Sequence, residues 1–202
     1  MCYPIYTQYN KASGIVGIPY NIRTDFYNDF IRSNHINVTN IRQMLRNNSS
    51  INPKAMLVIN PCNPTGAVLT RIEMENIVKL CVEFNMVLIA SEVLQETVCI
   101  RNHSAIYNHV SISKFISFRE VINSMQEPYN QLELFSIYSA SKSLLNFPSF
   151  RTGYLELLNI DSDICKEIYK HVSIDIATNT VAQIVLDILV SSSLENDKSN
   201  LK

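Results

Sequence analysis

Two five-residue apolar runs, Ala-Met-Leu-Val-Ile at 55–59 and Met-Val-Leu-Ile-Ala at 86–90, bracket one amphipathic stretch, and this spacing limits what the chain can fold into. A short apolar run without alternation reads as a strand buried on both faces. Between the runs, Thr70-Arg-Ile-Glu73 has capping-box spacing. Ile77, Leu80, Cys81 and Phe84 then recur at i, i+3, i+4 and i+7, the apolar stripe of a helix. Strand, helix and strand within about 35 residues predict a βαβ unit with parallel strands.

The pattern continues on both sides. Leu134–Tyr138 and Gly153–Leu158 read as two more strands. Asp161 is placed to cap a helix reaching about Ile174, and Thr178–Val190 reads as another. Upstream, a strand is expected near Ile15–Tyr20 and a helix near Thr39–Arg46. The chain is therefore expected to be α/β, with a partial, doubly wound, mostly parallel sheet. Residues 1–190 would form one domain, and 191–202 a polar tail that frays. In such sheets ligands sit at the C-terminal ends of the strands.

Composition removes several function classes. With 202 residues, 47% of them hydrophobic, the chain can bury one substantial core. A net charge of −1 and the absence of a basic run argue against nucleic acid as a partner. Apolar runs of about five residues fall far short of the ~20 that span a bilayer, so no membrane segment is expected. The opening Met-Cys-Tyr-Pro-Ile-Tyr lacks the features of a secretory or transit signal, and the five cysteines form no C-x-x-C pair. A reduced, cytoplasmic chain is the expectation. The histidines at 35, 103, 109 and 171 lack metal-ligand spacing.

Three loops leave the strand ends, and each carries unusual residues. Asn60-Pro-Cys-Asn-Pro-Thr-Gly66 has two Asn-Pro steps and a closing glycine, a stiff turn suited to holding the Asn63 amide in place. Read alone, it is also an ordinary strand-to-helix turn. Ala90-Ser-Glu-Val-Leu-Gln95 follows the second strand. Ser139-Ala-Ser-Lys142 follows the third, with Arg151 nine residues beyond the lysine. A lysine just past an apolar strand is expected to be desolvated, which lowers its pKa and favours imine formation. Hydroxyls at 139 and 141 with the guanidinium at 151 suit a phosphate dianion. Alone, such a Ser/Lys cluster is more often a solvated loop. Ser139-x-x-Lys142 also has acyl-serine spacing, but the Ser-Asp-Asn and Lys-Thr-Gly partners of that chemistry are absent.

Together, and in this order, the three loops resemble the fold-type I, class I/II aminotransferases that use pyridoxal phosphate (PLP), nearest the alanine aminotransferase branch. Tyr3-Pro-Ile-Tyr6, Phe115–Arg119, Arg151-Thr-Gly-Tyr154 and Ser173–Gln183 match as well, so the likeness covers roughly residues 2–190. The resemblance implies that Lys142 is the Schiff-base lysine and moves the proton at the substrate Cα. It implies that Asn63 donates to the phenolate oxygen of PLP, that Arg151 and Ser139 hold its phosphate, and that Tyr3 lies against its ring. Ser91 occupies the position facing the ring nitrogen. The implied reaction is amino transfer between L-alanine and 2-oxoglutarate, giving pyruvate and L-glutamate. The family also implies a homodimer, or a heterodimer with an intact paralogue.

The likeness breaks at four places. Ser91 stands where the family has an aspartate that keeps the ring nitrogen protonated. Glu92 is not expected to replace it, because successive strand residues face opposite ways. Leu94 stands where the family has a tyrosine. The glycines after the family lysine are replaced by Lys142-Ser-Leu-Leu-Asn-Phe-Pro-Ser-Phe-Arg151, where Pro148 fixes φ and bears on where Arg151 lies. Family members are more than twice this length, so the small domain and its carboxylate-binding arginine are expected to be missing. A transaminase domain with impaired or negligible turnover is the resulting expectation. The alternative is a non-catalytic pseudoenzyme, or a dimerisation partner for an intact aminotransferase.

Overall fold

The computed structural model describes residues 16–17, 37–48, 50–63, 66–98, 115–142, 148–174 and 179–199. Tyr3 and nearly all of the strand expected at Ile15–Tyr20 lie outside these residues.

The elements run α1 (Val38–Asn47), β1 (Ala55–Ile59), α2 (Arg71–Glu83), β2 (Val87–Ser91), α3 (Phe118–Ser124), β3 (Leu134–Ser139), β4 (Gly153–Leu158), α4 (Ser162–Ile174) and α5 (Thr180–Ser199). The four strands form one sheet in the order β1-β2-β3-β4. The first three are parallel, with Val58, Ala90 and Ser136 side by side. The edge strand β4 is antiparallel to β3, pairing Ser139 with Gly153.

Local chemistry sets the boundaries. Thr70 and Glu73 close the capping box at the start of α2: the Thr70 N–H donates to Glu73 Oε2 at 2.7 Å, and the Glu73 N–H donates to Thr70 Oγ1 at 3.3 Å. Asn85, with φ of 52°, ends the helix in the left-handed region that asparagine tolerates. The Met86 N–H then donates to Cys81 O at 2.8 Å. Met86 is thus committed to the turn, and β2 begins and ends one residue later than its apolar run. Asp161 caps α4 as expected, its Oδ1 accepting from the Asp163 N–H at 2.8 Å. Helix α5 runs through the polar tail to Ser199, past the point where fraying was expected.

One sheet face carries Met56, Val58, Leu88, Ala90 and Leu134, all buried against α2 and α3. Those helices contribute Met74, Ile77, Val78, Leu80 and Cys81 from α2, and Phe118, Val121 and Ile122 from α3. Each fully buried large apolar side chain contributes about 1.5–3 kcal/mol. Phe84, the last residue of the expected stripe, is only partly buried because it is the C-cap. Helix α1 is tied to α2 by Arg42 and Arg46, whose guanidinium groups share the Glu83 carboxylate at 2.7 and 2.5 Å. The hydrogen bond from Arg42 leads the effects that hold that carboxyl below its ordinary range. Helix α4 buries none of its residues, and its Ile164, Tyr169, Val172 and Ile174 are exposed. No helix among the described residues is long and apolar enough to cross a membrane.

Candidate functional site

Parallel pairing brings the C-terminal ends of β1, β2 and β3 to one edge of the sheet. Ile59 pairs with Ser91, and Ser91 with Ile137. Two bonds extend the ladder past the strand ends: the Asn60 N–H donates to Ser91 O at 3.0 Å, and the Glu92 N–H donates to Ile137 O at 3.0 Å. Because β4 is antiparallel, it starts where β3 stops. The loops holding Asn63, Ser91, Lys142 and Arg151 therefore all open from the same edge.

The first loop folds back on itself. Asn60 is 1% exposed, and its Oδ1 accepts from the Leu69 N–H at 2.9 Å. Across the loop, the Cys62 N–H donates to Ala67 O at 2.8 Å, and the Gly66 N–H donates to Cys62 O at 2.7 Å. Gly66 has φ of 71°, a conformation glycine adopts without a Cβ penalty. The loop presents Asn63 as an exposed residue. Asn60 Nδ2 is buried and finds no acceptor among the described residues, an unfavourable state for an amide donor.

The loop after β3 gathers a cation and two hydroxyls. Ser139 Oγ accepts from the Ser141 N–H at 3.3 Å. Arg151 Nη1 lies 3.5 Å from the buried Ser141 Oγ, and Arg151 has φ of 51°. The Ala140 N–H donates to Thr152 O at 3.1 Å, so the two segments run against each other. Gly153 permits that approach: a Cβ there would lie 2.3 Å from Tyr138 O. The structure thus brings Ser139, Ser141 and Arg151 together despite Pro148. Lys142 corrects one expectation. It ends a single 3-10 turn, Ala140–Lys142, that carries it out past the buried strand, and its side chain is exposed rather than desolvated.

At the end of β2, Ser91 is 6% exposed and Glu92 is 3% exposed. Glu92 Oε1 accepts from the Phe118 N–H and Oε2 from the Ser136 hydroxyl, both at 2.8 Å. Ser136 lies beside Ala90 on the face covered by α2 and α3, so Ser91, one residue on from Ala90, faces the other way. Burial pushes the Glu92 carboxyl above its ordinary range, outweighing the two hydrogen bonds. Beyond the half-buried Leu94, the turn Gln95–Thr97 meets two tyrosines. The Tyr138 hydroxyl donates to Glu96 Oε1, and Tyr154 lies near the Gln95 side chain. The two tyrosine rings stack with centroids 4.7 Å apart and planes 22° from parallel. Desolvation leads the effects that raise the Tyr154 hydroxyl. Arg119 pairs with Glu156 on the same side.

Neither Glu92's partners nor the tyrosine pair were foreseen from the sequence. The available signal was Tyr138 and Tyr154 flanking the lysine and arginine, but their contact follows from the antiparallel register. Among the described residues no cluster of three His, Cys, Asp or Glu side chains is placed to hold a metal ion.

Residues 1–201 match the family model described as aminotransferase class I and II. The chain is 40% identical over 150 residues to the Dictyostelium discoideum probable alanine aminotransferase, mitochondrial, covering 74% of this chain and 26% of that protein. It is 32% identical to human alanine aminotransferase 1 over 199 residues, 98% of this chain and 37% of that protein. This chain therefore spans less than two-fifths of either relative. Among solved structures, the Pyrococcus furiosus alanine aminotransferase superposes with a TM-score of 0.62 at 22% identity, covering 90% of this chain and 39% of that one. A PLP-bound protein from Clostridium difficile 630 superposes with a TM-score of 0.66 at 16% identity, covering 98% of this chain and 46% of that one. These likenesses concern the fold.

Proposed function

The chain belongs to the class I and II aminotransferases, a PLP-dependent family, and on that premise we propose that it is an alanine-aminotransferase-like, PLP-binding domain whose turnover is impaired at Ser91. The observation that carries the reading is the meeting of Ser139, Ser141 and Arg151 one short turn from Lys142, at the C-terminal edge of a parallel sheet.

The donor set suits PLP at one end. A guanidinium and two hydroxyls are a charge-matched cradle for a phosphate dianion, and an exposed lysine amine beside them can meet an aldehyde. The other end is altered. Ser91 offers a neutral hydroxyl, and the adjacent carboxylate faces away with both oxygens occupied.

When bound, PLP supplies an electron-withdrawing ring that stabilises negative charge at the substrate Cα. Arg151, Ser139 and Ser141 would orient it through the phosphate. Asn63 would donate to its phenolate oxygen. Lys142 would hold the aldehyde end through Nζ and, as a free amine, would accept the proton at the substrate Cα. Ser91 would meet the ring nitrogen with a hydroxyl that cannot hold a proton there, which raises the barrier to Cα deprotonation. Leu94 adds no donor. Amino acids and 2-oxo acids are the proposed substrate class, with L-alanine and 2-oxoglutarate as the pair the relatives' names favour.

Borohydride reduction after PLP addition, followed by peptide mapping, tests the reading: the label belongs on Lys142. A coupled assay for alanine-dependent pyruvate should show little turnover. Labels spread evenly over the lysines, or rapid turnover, would defeat the respective halves of the proposal.

A second reading, a non-catalytic dimerisation partner for an intact aminotransferase, is favoured by the exposed apolar side chains of α4 and by Val181, Ile184 and Ile188 of α5. Co-elution with an intact family member on size exclusion tests it.

A further inference from the structure

Behind the candidate site, on the sheet face away from Ser91, one cluster joins the loop after β2 to β3 and β4. Glu96 is five residues past Ser91, Tyr138 is four residues before Lys142, and Tyr154 is three residues past Arg151. The Tyr138 hydroxyl donates to the Glu96 carboxylate, joining the loop after β2 to β3. The stacked rings of Tyr138 and Tyr154 join β3 to β4. Tyr154 also lies near Gln95 in the loop after β2. Three segments meet at Tyr138.

We infer that Tyr138 and Glu96, with Tyr154 stacked beside them, are positioning residues that set the relative placement of Ser91, Lys142 and Arg151. The inference rests on the PLP reading of that site. Tyr138 is 5% exposed and shares its face with Ser136, whereas Ser139 points the other way, so the clamp works through the backbone and does not touch the cofactor. A buried phenol donating to a carboxylate is a strong, directional tie. Positioning matters here because the cradle's cation and the amine sit on different segments: Arg151 precedes β4, whereas Ser139 ends β3 and Ser141 and Lys142 follow it. A small shift between those segments separates the phosphate anchor from the amine. Gly153 leaves no slack on one side, since its backbone already lies against Tyr138 O. The hydroxyl–carboxylate bond governs the remaining side, the loop after β2.

The test uses the full chain with PLP as the probe. Parent, Tyr138→Phe, Glu96→Ala, Glu96→Gln and the Phe/Ala double variant are titrated with PLP. Schiff-base absorbance and the borohydride-labelled fraction of Lys142 are read, and melting is followed separately. Tyr138→Phe keeps the ring stack and removes the hydroxyl. It should weaken PLP binding about tenfold, as should Glu96→Ala, and the double variant should be no worse than either single one. Glu96→Gln keeps an acceptor oxygen and should bind as the parent does. A purely structural bond would lower the melting temperature and leave the affinity of the folded protein unchanged. Tyr138→Phe or Glu96→Ala folding and binding PLP like a normally labelled parent would overturn the clamp alone. A parent that takes no label at Lys142 would overturn the PLP reading, and the clamp with it.

Discussion

Glu92 Oε2 accepts a 2.8 Å hydrogen bond from the Ser136 hydroxyl, 44 residues along the chain, and this holds the carboxyl group next to Ser91 in sequence away from it. With Oε1 engaged by the Phe118 N–H, moving Glu92 toward Ser91 would break two bonds and unpair a buried amide. Glu92 is therefore held off Ser91.

Restoring a carboxylate should reveal what the serine removed. Ser91→Asp buries a charge at a position 6% exposed, so without PLP the variant should melt below the parent. A bound PLP ring nitrogen would compensate that charge, so saturating PLP should recover more melting temperature in the variant than in the parent. Alanine-dependent cofactor conversion should rise at least about tenfold. Equal PLP-induced shifts in both proteins would show that position 91 does not meet the ring.

Arg151→Gln removes the cation of the cradle and keeps a polar side chain of similar reach. Hydrogen bonds to a charged group contribute about 1.5–3 kcal/mol, so PLP affinity should fall about 10- to 100-fold. Lys142→Ala should leave an exposed position structurally quiet and abolish the borohydride label. Circular dichroism with PLP titration separates the two effects from loss of fold.

Glu92 carries a pH signature. Burial raises its folded pKa above the ordinary 4.5, so its stability contribution is fully present below 4.5 and is lost as pH rises through the folded value. Glu83, held low by the hydrogen bond from Arg42 first, acts oppositely: its contribution is present above 4.5 and lost as pH falls. Comparing variant with parent isolates Glu92. Glu92→Gln can still accept from the Phe118 N–H and donate to Ser136, and its stability relative to the parent should improve as pH rises from 4.5 through the folded value of Glu92. Glu92→Ala should cost about 1–3 kcal/mol by orphaning that N–H. Urea melts of parent and Glu92→Gln above pH 4.5 check the sign for Glu92.

Gly153→Ala places a methyl 2.3 Å from Tyr138 O, a backbone atom that cannot swing aside. The start of β4 must separate from β3, at a cost of about 1–3 kcal/mol. Because Ser139 pairs with Gly153, PLP labelling of Lys142 should fall along with the denaturation midpoint.

Much of the fold was legible because its elements are written in local periods. The run Ala55–Ile59, the Thr70–Glu73 box and the stripe at Ile77, Leu80 and Cys81 depend on neighbours within one helical turn or one strand. The loop motifs were legible for the same reason, and pleat alternation already separated Ser91 from Glu92. What lay beyond reach depends on register between distant segments. Met86 left its strand because Cys81 O took its N–H. Lys142 came out exposed because the chain turned once more after β3. Glu92 found Phe118 and Ser136, and Tyr138 met Glu96 and Tyr154, only once β2, β3 and β4 were side by side. The sequence by itself determined which residues stand at the strand ends. The tertiary structure alone decided which of them touch, since contacts across a sheet follow from strand order and register, neither of which is encoded in a local pattern.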